Sequence, residues 1–124
     1  MYFQFIMKSG KEKRVHERIP LPDVKGSVEV SEAMKPITLI NASSEGVCIV
    51  GVSIPVGSVV KLAIDDHLGV GDISLYCKVA WVSEEKKKGK FAGLSLLNTN
   101  RVLFKKDLQS FNRLIEMVQA QARF

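Results

Sequence analysis

Cysteine, histidine and tryptophan are scarce in this chain of 124 residues, which holds two, two and one of them. Cys48 and Cys77 stand alone, with no CxxC and no ligand spacing. That spacing gives no zinc knuckle, nothing in it supports a disulfide, and two small buried thiols are the expectation. His16 and His67 read as an arm residue and a loop residue, and no activated nucleophile or phosphate-cradling glycine loop accompanies them. Asp65, Asp66 and Asp72 flank a glycine-bearing loop, but the spacing of a calcium-binding EF-hand is missing, so no metal is expected. The longest apolar run, Gly46–Val52, is far too short to cross a bilayer. Met1–Met7 lacks the basic leader and small-residue cleavage site of a signal peptide, so a cytoplasmic location is expected. Internal repeats and low-complexity segments are also missing. These absences point to a binding protein, not an enzyme.

What is present suits one folded domain. Apolar residues make up 46% and charged residues 25%, the balance of an ordinary globular chain with room for a single core. The formal net charge of +5 favours an anionic partner. Lys8, Lys11, Lys13, Arg14 and Arg18 crowd the N-terminal arm, with only Glu12 and Glu17 opposing them. A second basic block, Lys86-Lys87-Lys88, reads as a solvated hairpin loop.

The periodicity is that of strands. Ile73, Leu75, Cys77, Val79 and Trp81 alternate with Asp72, Ser74, Tyr76 and Lys78, so the first set, Trp81 included, is expected to face a core. Val24-Gly26-Val28-Val30 and Val60-Leu62-Ile64 repeat the pattern, and Pro36–Ile40, Gly46–Val52 and Lys90–Leu97 bring the set to about six strands. Short connections such as Pro55-Val56-Gly57-Ser58 and Glu84–Gly89 favour antiparallel pairing, and a small sheet of this size tends to close into a barrel. The tail differs. Phe104, Leu108, Phe111, Ile115 and Val118 recur at helical spacing, predicting an amphipathic helix over about 100–122 with Asn100 as its N-cap. This stripe is expected to dock on the barrel; the alternative is that part of it, aided by Leu103 or Leu114, pairs two copies into a homodimer.

Two short motifs carry the functional reading. Arg14-Val15-His16-Glu17-Arg18 spaces two arginines four positions apart, and Asn41-Ala42-Ser43-Ser44-Glu45-Gly46 sits where one predicted strand turns into the next. In this order they resemble the RxxxR and [D/N]xSxxG signatures of the PilZ family, whose best-known members bind the bacterial second messenger cyclic di-GMP. The resemblance covers about Lys11–Ala122. It implies a six-stranded antiparallel β-barrel with a C-terminal helix, which agrees with the periodicity. Gly93-Leu94-Ser95-Leu96 also looks like the family's Gly-hydrophobic-x-aromatic strand, with Leu96 in place of the aromatic. Val47 stands where many members have a second glycine. The resemblance divides the chain into a flexible arm, 1–18, and a barrel with its helix, 19–124.

Arginine suits such a ligand because its planar fork pairs with phosphate oxygens or with guanine O6 and N7, and also stacks on a base. Four extended residues span roughly 13 Å, so Arg14 and Arg18 can approach from two directions. Guanine selectivity needs acceptors for the N1 and N2 hydrogens, and the Asn41 oxygen is the candidate; the Ser43 hydroxyl can contact the same purine or a phosphate. Gly46 would permit a positive φ or a close approach of the ligand to the strand. Lys13, just before Arg14, occupies the position that in this family influences whether one or two stacked ligand molecules are held.

The resemblance further implies that the ligand orders the arm over one face of the barrel and that the signal passes to an unidentified effector protein. Tyr2, Phe3, Phe5, Ile6 and Met7 are candidates for the moving contact, or else a clip on the barrel. The alternative is a PilZ-like adaptor that binds no nucleotide and acts only through protein contacts. Nucleic acid is a poor fit, since such barrels interleave basic and aromatic residues on one exposed strand face, and here the strands offer only Tyr76, Trp81 and Phe91.

Overall fold

Alternating apolar residues fold into six antiparallel strands in the computed structural model, which describes residues 18–121. They are β1 (Ile19–Val30), β2 (Ala33–Ser43), β3 (Gly46–Val50), β4 (Val59–Ile64), β5 (Ile73–Glu85) and β6 (Gly89–Leu96). Their order, β1-β2-β3-β6-β5-β4, closes into a barrel when β4 pairs back onto β1. Inside lie Val24, Val28, Leu39, Val47, Ile49, Leu62, Leu75 and Cys77, each sealed from solvent. The expected architecture is therefore present, and closure removes every sheet edge along the paired region.

Three irregularities set which side chains face outward. Pro20 and Pro22 interrupt the β1 ladder, where the register with β2 shifts between Pro20 and Val24 and Asp23 takes a left-handed φ of 58°. A second shift, in β2, lies between Leu39 and Asn41. The third, in β5, lies between Val79 and Trp81. Each extra residue reverses the facing of the residues after it. Trp81, expected inside, is 41% exposed for this reason: Val79 still points into the barrel, Ala80 is the added residue, and Trp81 turns outward.

The tail forms two helices, α1 (Thr99–Leu103) and α2 (Lys105–Gln121), broken at Phe104, whose backbone (φ −131°, ψ 45°) leaves the helical range. Phe111, Leu114, Ile115 and Val118 are buried along α2, so the stripe docks on the barrel and Leu114 lies in the core, not offered to a second copy. Val102 and Leu103, at 73% and 69%, remain exposed. Asn100 is not the N-cap. Asn98 holds that position without a side-chain cap bond, while Asn100 is fully buried.

The reason lies at the end of β6. Beyond the Cys77–Leu96 pair, β5 continues without a strand partner on that side. Tyr76 N–H donates to Asn100 Oδ1 at 3.0 Å, Asn100 Nδ2 donates to the Tyr76 carbonyl at 2.8 Å, and Ser74 N–H donates to Asp107 Oδ1 at 3.0 Å. Two helix side chains thus continue the ladder, satisfying backbone groups that would be costly to bury unpaired. The Tyr76 and Phe104 rings, 5.2 Å apart, pack beside this seam.

Both cysteines are buried and free. Burial pushes the Cys77 thiol up to about 12 from an ordinary 9.0. Cys48 is raised too, by burial, with the Arg18 charge opposing. The folded protein therefore keeps a thiol proton that the unfolded chain releases first. Stability from this source is complete below about pH 9 and falls as pH rises toward about 12. We expect the denaturation midpoint to drop on raising the pH from about 8 to about 10.5. The Cys77 thiol should not react with a thiol reagent until the chain unfolds; its rapid reaction in the native state would contradict its place inside the barrel.

Candidate functional site

Asn41 faces outward only because of the β2 bulge. Leu39 points into the barrel, and strict alternation would send Asn41 inward after it; Ile40 is the added residue, so Asn41 faces out and Ala42 returns to the core. Arg18 precedes β1 directly, and Pro20 pairs with Asn41 across the β1–β2 ladder. That register brings Arg18 Nη1 to 3.0 Å from Asn41 Oδ1, to which it donates a hydrogen bond. Two motifs separated by more than twenty residues in sequence thus meet through their side chains. The acceptor expected to take a guanine hydrogen already holds the guanidinium, which orients both groups over the same face.

Ser43 and Gly46 close the two-residue turn between β2 and β3. The Ser43 side chain is nearly buried and its Oγ accepts from the Glu45 N–H at 3.2 Å, a local bond that shapes the turn. Gly46 is not among the glycines with positive φ. What bars a side chain there is the neighbouring strand: a Cβ would stand 2.5 Å from the Leu94 carbonyl oxygen of β6. Val47, in the place of a second glycine, points inward and is fully buried, so its side chain does not obstruct the outer face. Leu96 packs against the core at the end of β6.

Glu45 extends the turn toward the helices. Its carboxylate lies 3.6 Å from the Arg101 guanidinium of α1, an exposed pair of small energetic weight, and its carbonyl accepts from Leu96 N–H at 3.0 Å. Lys13, Arg14 and His16, and the apolar residues Tyr2, Phe3, Phe5, Ile6 and Met7, lie outside the described residues.

The outer face continues beyond the motifs. Asn41 pairs with Cys48, Cys48 with Gly93 and Gly93 with Trp81, forming one row across β2, β3, β6 and β5. A second row runs through Ser43, Gly46, Ser95 and Lys78. Trp81 and Lys78 therefore stand on the same side of the sheet as Asn41 and Ser43. No sequence signal marks Trp81 for this face, since the bulge at Ala80 carries neither glycine nor proline. Among the described residues, no group of three or more His, Cys, Asp or Glu is placed to hold a metal ion, and no helix is long and apolar enough to cross a membrane.

Comparison with known proteins bears on this arrangement. The barrel is similar to the PilZ domain with c-di-GMP of YcgR from Escherichia coli, with a TM-score of 0.69 at 14% identity, over 90% of this chain and 95% of that one. It is also similar to the Bacillus subtilis inhibitor of motility MotI/DgrA, with a TM-score of 0.64 at 16% identity, over 90% of this chain and 53% of that one. The PlzA protein of Borreliella burgdorferi in complex with c-di-GMP gives a TM-score of 0.56 at 15% identity, over 86% of this chain and 40% of that one. The chain thus spans nearly all of the first of these structures and about half or less of the other two. No curated protein sequence matches it. At these identities the structures speak for the fold; the PilZ domain family model itself matches residues 12–113, and the chain belongs to that family.

Proposed function

We propose that this chain is a receptor for cyclic di-GMP. The observation that carries the reading is the hydrogen bond from Arg18 to Asn41, which joins the arginine motif to the turn motif on one outer face of the barrel. Two of the similar structures are complexes with the same dinucleotide, which supports the assignment. Arg18, with Arg14 and Lys13 before it, would meet the phosphates and a guanine edge; Asn41 and Ser43 would supply the polar contacts that select the base; Gly46 would keep the turn against β6. Catalysis has no part in this reading, because the ligand is held and not altered.

In this scheme the ligand draws residues 1–18 over the Asn41 face, and the altered surface is read by an effector protein. The ligand can shift the arm only by binding its closed arrangement better than the open one. Among the described residues, Val102 and Leu103 are apolar residues that α1 leaves uncovered, and in this scheme they are available to an effector or a second copy.

Calorimetric titration of the purified chain with cyclic di-GMP, with GTP and cyclic di-AMP as controls, tests the proposal. Saturable binding selective for the guanine dinucleotide and lost in Arg14→Ala is the expected result. The absence of heat at high ligand concentration would sink it and leave a PilZ-like adaptor acting through protein contacts alone.

A further inference from the structure

We infer that the apolar head of the chain, residues 2–7, docks in a groove between β1 and the end of α2 and clips the N-terminus to its own barrel. The groove, about 490 Å³ in volume, is lined by Ile19, Pro20, Leu21 and Pro22 of β1, Ile40 of β2 and Val118 of α2. None of its lining side chains is charged. It exists because the ladder is incomplete at this corner of the barrel. β4 pairs with β1 only over residues 26–29, so among the described residues the first part of β1 has α2, not a strand, on that side. Pro20 and Pro22 have no N–H to offer an added strand, so an occupant must be held by burial of its side chains and not by a ladder.

The occupant is the chain's own. Residues 1–17 lie outside the described structure and rejoin it at Arg18, whose neighbour Ile19 forms the first wall of the groove. Five of the six side chains at positions 2–7 are apolar: Tyr2, Phe3, Phe5, Ile6 and Met7. The connecting residues 8–17 are mostly charged, and Ser9-Gly10 offers the turn that doubling back requires. Extended, ten residues reach roughly 33 Å, ample for a groove that begins beside Arg18. An apolar segment in water favours an uncharged groove, and so short a tether holds it there at an effective concentration on the order of millimolar. An intrinsic dissociation constant of about 0.1 mM then keeps the segment docked about nine-tenths of the time. A second copy or a partner protein has to compete with that tethered segment. Docking also closes residues 8–17, with Lys13 and Arg14, into a loop fixed at both ends beside Asn41, since Ile40 of the groove wall precedes it.

Chymotrypsin can cut after Phe3 and Phe5 only while the segment is out of the groove. Under native conditions, cleavage there in the full chain is expected to be about tenfold slower than in a free peptide of residues 1–17. Ile40→Glu, which puts a charge into the groove, is expected to bring the rate to within about twofold of the peptide. Trypsin cleavage after Lys11, in the connecting segment, should be the same in both proteins, which separates undocking from unfolding. Circular dichroism verifies that the variant is folded; if it is not, the comparison of the parent chain with the peptide still decides. Equal chymotryptic rates in the parent chain and the peptide would overturn the inference. So would protection that Ile40→Glu leaves intact in a folded barrel. Protection lost on dilution, together with a dimer in size-exclusion chromatography, would overturn it as well and give the groove to the head of a second copy.

Discussion

Phe111→Ala is expected to lower the free energy of unfolding by about 3–5 kcal/mol, the largest loss of stability from any single truncation in α2. Phe111 is fully buried, and with Leu114, Ile115 and Val118 it forms the face that α2 lays on the barrel. Removing the ring deletes its transfer free energy and opens a cavity between α2 and the strands it packs on, β1 and β5. The ladders of β1 to β2 and of β5 to β4 hold those strands in place and limit their collapse into the space, so little of the loss is recovered. Against a typical total of about 5–15 kcal/mol for a domain, the change is large. Urea denaturation followed by circular dichroism would show the midpoint falling with an unchanged slope. A Phe111→Leu control should recover most of the stability, since it fills much of the same volume. A loss below about 1 kcal/mol for Phe111→Ala would mean that α2 is not docked as described.

Local periodicity and turn chemistry made the barrel and its helix legible. The alternation of Ile73, Leu75, Cys77 and Val79 holds as expected, as does that of Val60, Leu62 and Ile64, because each side chain is sorted by burial one residue at a time. The Lys86-Lys87-Lys88 loop ends in Gly89 at φ 104°, a three-residue hairpin with glycine in the left-handed position. Where the structure departs from local expectation, a non-local cause decided. The β1–β2 hairpin turns through Ser31 and Glu32, both at positive φ, a conformation usually signalled by asparagine or glycine. Asn100 satisfies the rule for a helix cap, yet the tertiary demand of an unpartnered β5 edge takes its side chain.

The same distinction applies to the site. The turn motif is visible in sequence because Ser43 and Gly46 answer to their immediate neighbours, one through Glu45 N–H and the other through the adjoining strand. The position of Arg18 is not local. It depends on the β1–β2 register, on two prolines that break the ladder, and on a bulge that turns Asn41 outward. A bulge of the same kind turns Trp81 to the face opposite the one its alternation predicts. One added residue in each of β2 and β5 therefore determines which groups share the face, and neither has a compositional mark.

Arg18→Ala is expected to weaken cyclic di-GMP binding roughly a hundredfold while costing the fold less than about 1 kcal/mol. The two effects separate because the Arg18–Asn41 bond is only part-buried, so water can take its place when it is lost. In the complex the guanidinium would be desolvated against an anion, where truncating one charged partner leaves the other unpaired. Arg18→Lys should restore little, since an ammonium offers neither the fork nor the planar surface. Asn41→Ala should cost less than Arg18→Ala, and the double variant should lose less than the sum of the two, because Asn41 orients the arginine as well as facing the ligand. Calorimetry on the four proteins gives the coupling directly. Strict additivity would mean that the Arg18–Asn41 hydrogen bond does not position Arg18 for the ligand. A parent-like affinity in Arg18→Ala would remove this arginine from the site altogether.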